Sequence, residues 1–518
     1  MQYIASQDRH QVTFSSLEER IAADNTVRFI EAFVEHLELD KLGYRLTNIK
    51  TEGRPPYESQ LFLKIYLYGY LNGLRSSRKL QRECERNIEL QWLTGNLVPN
   101  YHSICDFRKV NPIALQNTFK LFVQFLKDAS LVGCSTVASD GTKVRAHNSK
   151  KNNYSPKKIE RHLKHIEEKS NEYFKQLDEN DALEEELKIT DIKGKIEKLK
   201  QHKIKYELLQ TQLQNSKEPQ VSTTDTDARA LLVQGQVVEV SYNVQAAVDE
   251  KHKLVIATQT INRNDRNALS DIAIEAKENL EVTMLTNISD KGYFNGRELQ
   301  RCKDHNITTI VAHPEIVNSN EKGTTPEYLV TQFTYNKEAD TYTCPAGKTL
   351  RTQGTWHNKQ RTERSIGYQF KKYRTPACKT CPVKHLCTGK ATGGREIERS
   401  EFAEAVAENN QRYHDNQALY RKRQEINEHI FGTIKRQWGY NHTNLMGLEK
   451  VGGEMSLIML VYNIKRCTNI LGIPRLISQL QNWKPDYKKI VGFNFITIKA
   501  TQIKPLYSTL FFVTQLAA

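Results

Sequence analysis

Asp140 stands inside "VASDGTKVRA", a run of β-branched and small residues that otherwise reads as a half-buried strand, where aspartate is depleted. A second aspartate, Asp290, ends the apolar run "VTMLTNISD" just before the chain turns through Gly292. In open sheets the carboxyl ends of strands are where ligands gather. A third acid, Glu428, lies in "EINEHIFGTIKRQWGYNH" (425–442), with Lys435 two helical turns further along the same stripe. Arg421, Gln424, Glu425 and Gly432 fall on that side, and Ile426, Ile430, Phe431, Ile434 and Trp438 form a broad apolar arc opposite. Together these are three acids on three elements, two strands and a late helix. A second group of residues is soft: Cys344 in "YTCPAGKTL" and Cys378, Cys381 and Cys387 in "CKTCPVKHLC". In a reducing compartment that spacing favours structural Zn²⁺ over disulfides. The other five cysteines, Cys84, Cys105, Cys134, Cys302 and Cys467, sit in apolar surroundings and read as buried thiols.

The elements that must carry these groups follow from pattern. A chain of 518 residues is too long for one ordinary core, so about two to four domains are expected. Residues 1–130 read as helical, with Asp24 or Asn25 as a cap and a basic helix carrying Arg78, Lys79 and Arg82. Helices joined by short turns, one of them basic, are compatible with a helix-turn-helix reader or with a plain bundle. From residue 134 the texture turns to strands: 134–146, a hairpin over 237–249 and 253–262, then strands near 282–290 and 307–314 alternating with helices. That order predicts a mixed sheet with helices packed on it. Residues 156–217 are densely charged with apolar residues near heptad spacing, which predicts a helical hairpin divided at "DEND" (178–181). Residues 316–400 form a polar, cysteine-bearing interruption.

Lys+Arg outnumber Asp+Glu by 75 to 60, a formal charge of +15, which favours an anionic partner, nucleic acid first. There is no apolar run of the roughly 18 residues that a membrane helix needs. The N-terminus "MQYIASQDRHQVTF" lacks a secretory pattern, so a cytoplasmic location is expected.

The order Asp140, Asp290, Glu428, with "GTIKR" after the glutamate, resembles the DDE transposases of bacterial insertion sequences. "DKGYFNG" and "FGTIKRQWG" also look like blocks of that group, and the resemblance runs from about residue 15 to 467. Glu428-x6-Lys435 matches part of a signature found in one branch, Tyr-x2-Arg-x3-Glu-x6-Lys. Gln424 stands where the arginine would fall and Arg421 where the tyrosine would fall, while Tyr420 and Arg423 each lie one residue away.

The resemblance implies an α/β mixed fold: an RNase H-like catalytic core, an all-α N-terminal domain, a helical-hairpin insertion and a small Cys-rich insertion. On this sequence that divides as 1–130 (DNA-binding), 131–155 with 218–315 (first part of the core), 156–217 (hairpin), 316–400 (Cys-rich), 401–470 (end of the core with its glutamate) and 471–518, of unassigned role. It implies that Asp140, Asp290 and Glu428 hold two Mg²⁺ or Mn²⁺ ions roughly 3.5–4 Å apart, with Asp140 bridging, and that the ion pair stabilises the attacking and leaving oxygens. Lys435, Arg436, Arg78, Lys79 and Arg82 become DNA contacts, and Gly432 leaves room for a backbone. The implied partners are terminal inverted repeats and target DNA, with a homodimer in the active complex and a nucleoid-associated place in a bacterial cell. The blocks "TDTDAR" and "NRNDRNAL", with Asp225, Asp227, Asp265, Arg229 and Arg266, look adjacent to such a site, though turn chemistry explains them equally well. Three rivals stay open: a DNA-binding protein without catalysis, an RNase H-like nuclease without strand transfer, and a zinc-stabilised interaction protein.

Overall fold

Asn25, in an extended conformation, accepts a hydrogen bond from the Val27 N–H and so opens α1 (Thr26–Glu35), as its place before an amphipathic run predicts. The structure is a computed structural model that describes residues 8–12, 14–45, 55–181, 186–216, 218–234, 237–314, 324–360 and 366–490. The apolar "YSTLFFVTQL" near the C-terminus lies outside the described residues, as does everything after 490. Five helices follow α1: α2 (Ser59–Leu71), α3 (Ser77–Arg86), α4 (Ile88–Thr94), α5 (Tyr101–Val110) and α6 (Pro112–Asp128). Tyr66, Tyr68 and Tyr70 of α2 are buried, so that aromatic run is core.

Strands and helices then alternate. β1 (Thr136–Arg145) and β2 (Asn153–Tyr154) precede the long helices α7 (Pro156–Asp181) and α8 (Glu186–Ser216), then come β3 (Val221–Ser222), β4 (Arg229–Gln234) and β5 (Val237–Asp249). Next are β6 (Val255–Ile261), α9 (Leu269–Leu280), β7 (Leu285–Ser289), α10 (Gly296–Asp304) and β8 (Ile307–Val311). Five of these strands lie in the order β4-β5-β1-β7-β8. β5 is antiparallel to both β4 and β1, whereas β1, β7 and β8 run parallel. Mixed α/β architecture therefore holds as expected.

The polar interruption is itself built of strands: β9 (Thr334–Asn336), β10 (Thr341–Thr343), β11 (Thr349–Thr352), β12 (His357–Lys359), β13 (Tyr368–Arg374), the short helix α11 (Lys384–Cys387) and β14 (Ile397–Ser400). These form a second sheet over a small core of Phe333, Tyr342, Leu350, Tyr373 and Ile397. Its strands are three to seven residues long, too short for alternation to show in the sequence. The chain ends in α12 (Ala403–Asp415), α13 (Gln417–Phe431), a π-helical turn over Gly432–Gln437, α14 (Leu448–Leu471) and α15 (Ile473–Asn482).

The described residues fall into two compact units: those within 1–133, 251–260 and 432–490 in one, and those within 134–250 and 261–431 in the other. In the first, α14 packs on α6 and α2. The approach is close because Gly453 has no side chain: a Cβ there would lie 2.6 Å from Pro112 Cα. The Glu454 carboxylate is fully buried, accepting from Tyr70 Oη (3.2 Å) and the Asn444 N–H (2.9 Å), with Arg108 and Arg75 at 3.7 and 3.8 Å. Charges this deep are kept only when paired and hydrogen-bonded.

In the second unit, α7 and α8 pack against each other, with Ile159, Leu209, Leu213, Tyr154 and Val221 in one cluster at their base. α7 runs on through 178–181, which the turn-rich composition of "DEND" had marked as the loop. Local propensity lost there to helix continuation. Two cysteines also differ from expectation: Cys84, Cys302 and Cys467 are buried, but Cys105 and Cys134 are half-exposed.

Candidate active site

β1 and β7 run parallel with Ala138 opposite Ile288 and Ser139 opposite Ser289. One residue further along both chains, register brings Asp140 beside Asp290 at the carboxyl end of β7. Asp140 is half-buried and its Oδ1 accepts from the Gly141 N–H at 2.8 Å. Asp290 lies just past the strand, where its Oδ1 accepts from the Gly292 N–H at 2.8 Å and caps a single 3-10 turn. α13 packs across β1, β5 and β7 and brings Arg423 to 4.0 Å from Asp140 Oδ2. The same guanidinium lies 5.7 Å from the Tyr420 ring.

Burial pushes the Asp140 carboxyl up to about 6; the charges of Asp290 and Asp265 add to this, while the Gly141 N–H and Arg423 oppose it. Desolvation and like charge both disfavour the ionised form. A pair of carboxylates in this condition fits positive charge.

The other face of β1 carries Gly141 and Lys143, because side chains alternate along a strand. Lys143 Nζ pairs with Asp265 Oδ2 at 2.6 Å, and Asn243 Nδ2 and Gln245 Nε2 donate to Asp265 Oδ1 at 2.8 and 2.9 Å. Tyr293 Oη donates in turn to Gln245 Oε1. Burial raises Asp265, but Lys143, Asn243 and Gln245 more than offset it and hold the group below the usual carboxylate range. Asp265 thus belongs to the ground behind Asp140. Asp225 is also buried and accepts from Tyr242 Oη at 2.7 Å.

Glu428 is exposed on α13 and accepts from Gln424 Nε2 at 2.7 Å. Of the three acids, the fold brings two together and leaves the third facing solvent. Among the described residues no group of three or more His, Cys, Asp or Glu is arranged to hold a metal ion. Lys435 is half-buried and Arg436 exposed, and a Cβ on Gly432 would meet nothing within 4 Å. Arg78, Lys79 and Arg82 line the exposed side of α3, with the Arg78 guanidinium 4.9 Å from the Tyr101 ring. His147 is exposed, and the His442 carbonyl accepts from Arg75 at 2.8 Å.

Cys344, Cys378, Cys381 and Cys387 line one cavity of about 20 Å³ in the second sheet's small domain. The Lys348 N–H donates to Cys344 Sγ at 3.2 Å across a turn whose Gly347 has φ +71°. Burial pushes the Cys387 thiol up, and the three neighbouring thiols push the same way against Arg395.

Two site contacts were not foreseen from the sequence. Arg423 stands there one place off the arginine of the signature, but its approach to Asp140 was not legible. The Lys143–Asp265 pair had no signal beyond the shared parity of Gly141 and Lys143, since its partner comes from a loop more than a hundred residues away.

Residues 343–468, which hold the four cysteines, Glu428 and Lys435, match the family described as Transposase DDE domain. Residues 15–110, with the basic helix α3, match the family described as Transposase domain (DUF772). No curated protein matches the chain. No helix among the described residues is long and apolar enough to cross a membrane. Two transposase families matched at separate ends of the chain support the group that the acids and the "FGTIKR" block point to: the DDE transposases of insertion sequences.

Proposed function

We propose that the chain binds the terminal inverted repeats of its own element, cuts there to free 3′-OH ends and joins those ends to target DNA. The observation that carries this reading is the placement of Asp140 beside Asp290, with Arg423 from the Glu428 helix drawn to 4.0 Å. The order β5-β1-β7-β8, antiparallel then twice parallel, supports an RNase H-like core.

Asp140, Asp290 and Glu428 would hold two Mg²⁺ or Mn²⁺ ions, whose bound charge stabilises the attacking and leaving oxygens of an in-line displacement. Asp140 and Asp290 supply the fixed negative charge. Arg423 balances Asp140 while the site is without cations and is free to turn to a phosphate afterwards. Lys435 and Arg436 contact the DNA backbone beyond Glu428, and Gly432 leaves space for it. Arg78, Lys79 and Arg82 of α3 supply phosphate contacts to the repeat, which carry most of the affinity and little of the sequence reading. Two ends must be joined, so the active complex is a homodimer, with the α7–α8 hairpin as a meeting surface, and the protein works on the bacterial nucleoid. Cys344, Cys378, Cys381 and Cys387, which line one small cavity, would hold a structural Zn²⁺ once their thiols are drawn together as ligands. Metal analysis of the purified protein tests this: about one equivalent of zinc, lost in Cys381→Ser, is expected.

The test of the function uses DNA carrying the flanks of this gene. Wild type and Glu428→Gln are compared with Mg²⁺, with Ca²⁺ and with EDTA. Nicks leaving 3′-OH at a defined end, dependent on Mg²⁺ and lost in the variant while binding persists, are expected. Equal binding with no cutting under any divalent ion would favour the reading as a DNA-binding protein without catalysis.

A further inference from the structure

Asn427 is 1 % exposed, yet neither its Oδ1 nor its Nδ2 has a partner among the described residues. It lies on the buried face of α13, between Ile426 and Ile430, which are also buried. An unpaired buried amide is a defect that native structures seldom keep without cause. Asn427 stands four residues after Arg423, so the two share one stripe of the helix, and Tyr420 continues it. This stripe is the one turned toward the acid pair: Arg423 reaches Asp140, and the Asp290 charge is felt at Tyr420. Glu428 comes one residue later, about 100° round the axis. It is turned out to Gln424. The side chain that occupies the sheet-facing slot is therefore an amide with nothing to bind, and its neighbour is the carboxylate that the slot lacks.

The backbone just beyond holds the means to exchange them. α13 passes at Phe431 into a π-helical turn over Gly432–Gln437, with the Trp438 N–H bonded to the Thr433 carbonyl at 3.0 Å, an i→i−5 link. A π turn contains one residue more than the α-helix it replaces, and such turns are frequent at functional sites. The signature of one branch places its arginine four residues before the glutamate; here Arg423 is five before Glu428. One residue in excess between Arg423 and Glu428, and one residue in excess just after them, are the same quantity in two places.

We propose that Asn427 is a positioning residue that holds the slot of Glu428 in a resting register of α13. In the working register the extra residue moves from the Gly432–Gln437 turn into the interval between Arg423 and Glu428. Glu428 then takes the sheet-facing slot beside Asp140 and Asp290, and Asn427 turns out to water. The unpaired amide keeps the resting register weakly held, and the Glu428 carboxylate would enter the slot once the negative charge of Asp140 and Asp290 is balanced. This rests on Glu428 being the third acid of the reaction.

The test measures the Mn²⁺ concentration giving half-maximal cleavage of the gene-flank DNA, for the full chain, beside its DNA affinity and thermal melting. In Asn427→Leu an apolar side chain of similar size suits the buried slot and holds the resting register. The expected result is at least a tenfold rise in the Mn²⁺ requirement with DNA affinity unchanged and melting no lower. A purely structural asparagine would alter melting and leave the Mn²⁺ requirement where it was, and that result overturns the proposal. Should Asn427→Leu fold poorly, hydrogen exchange of wild type over 417–438 decides. Protection that shifts along the segment when Mn²⁺ and DNA are added supports two registers, and protection that stays the same refutes them. Wild type that cleaves and needs Glu428, with either negative result, removes the register proposal alone. Wild type that cuts under no condition removes the function, and this proposal with it.

Discussion

Asp265 Oδ2 accepts from Lys143 Nζ at 2.6 Å, while its Oδ1 fills the space that a Cβ on Gly141 would need. A Cβ there would also collide with Gln245 Nε2 and Asn243 Oδ1. The glycine after Asp140 is therefore a packing requirement of the network behind the strand. Gly141→Ala is expected to cost about 1–3 kcal/mol through forced displacement and to lower cleavage more than DNA binding. Thermal melting and a cleavage assay at matched DNA occupancy check this.

The Lys143–Asp265 pair is mostly buried, with side chains 11 % and 25 % exposed. Removing one partner leaves the other charge uncompensated, at a cost of roughly 2–4 kcal/mol given the remaining exposure. Lys143→Met and Asp265→Asn should each destabilise the protein. The double variant should recover part of the loss, which a double-mutant cycle by denaturant unfolding measures. Strictly additive losses would show that the pair does not act as a unit.

Glu454 in α14 sits at 0 % exposure against Arg75, Arg108 and Tyr70. Glu454→Gln leaves two guanidinium groups without their counter-charge and should cost about 3 kcal/mol. Because the loss falls in the unit that carries α3, repeat binding should fail on heating at a lower temperature than in wild type. A gel-shift series against temperature reads this.

On α3, Arg78→Ala with Lys79→Ala and Arg82→Ala should weaken binding to every DNA sequence alike. The slope of log affinity against log salt should flatten by about 0.9 for each phosphate that the variant no longer neutralises. An unchanged slope would remove these residues from the interface.

Asp340 in the second sheet's domain accepts from Tyr335 and Tyr373 hydroxyls and pairs with Lys371 at 2.8 Å. Burial opposes these partners, but together they hold its carboxyl down at about 2, below its ordinary 3.8. A lowered folded value stabilises the fold above pH 3.8, and that contribution disappears as pH falls toward 2. The side chain is 34 % exposed, so solvent screening leaves roughly 1 kcal/mol. Asp340→Asn should lower stability at pH 7 and make no difference at pH 2, by melting at the two pH values.

The centre of the sheet was legible because β1 and β5 are long. Val237–Asp249 emerges with the bounds its β-branched run predicts. What pattern could not show is where polar groups are used as structure. Asn409 of α12 answers both the N–H and the carbonyl of Val311, at 3.0 and 2.8 Å. Asn463 of α14 does the same for Val255, at 2.8 Å each. Each asparagine looks like a surface residue in its own window, since its partner lies far away along the chain. For the candidate site, residue type gave Asp140 inside a strand and Asp290 just after one, but their adjacency is a matter of register between β1 and β7. Glu428 was legible as the acid of a motif and its orientation was not, because a one-residue offset in a helix changes the facing side without changing composition.

Whether the acid pair binds catalytic cations is tested most directly by exchanging a hard ligand for a soft one. Asp140→Cys keeps a donor in place but suits Mn²⁺ or Cd²⁺ better than Mg²⁺. The account predicts that this variant binds gene-flank DNA as wild type does, fails to cut with Mg²⁺, and recovers cutting with Mn²⁺ or Cd²⁺. Cutting with Mg²⁺ at the wild-type rate, or no cutting with any of the three ions while DNA binding is intact and wild type cuts, would contradict the assignment of Asp140 as a ligand of the catalytic cations.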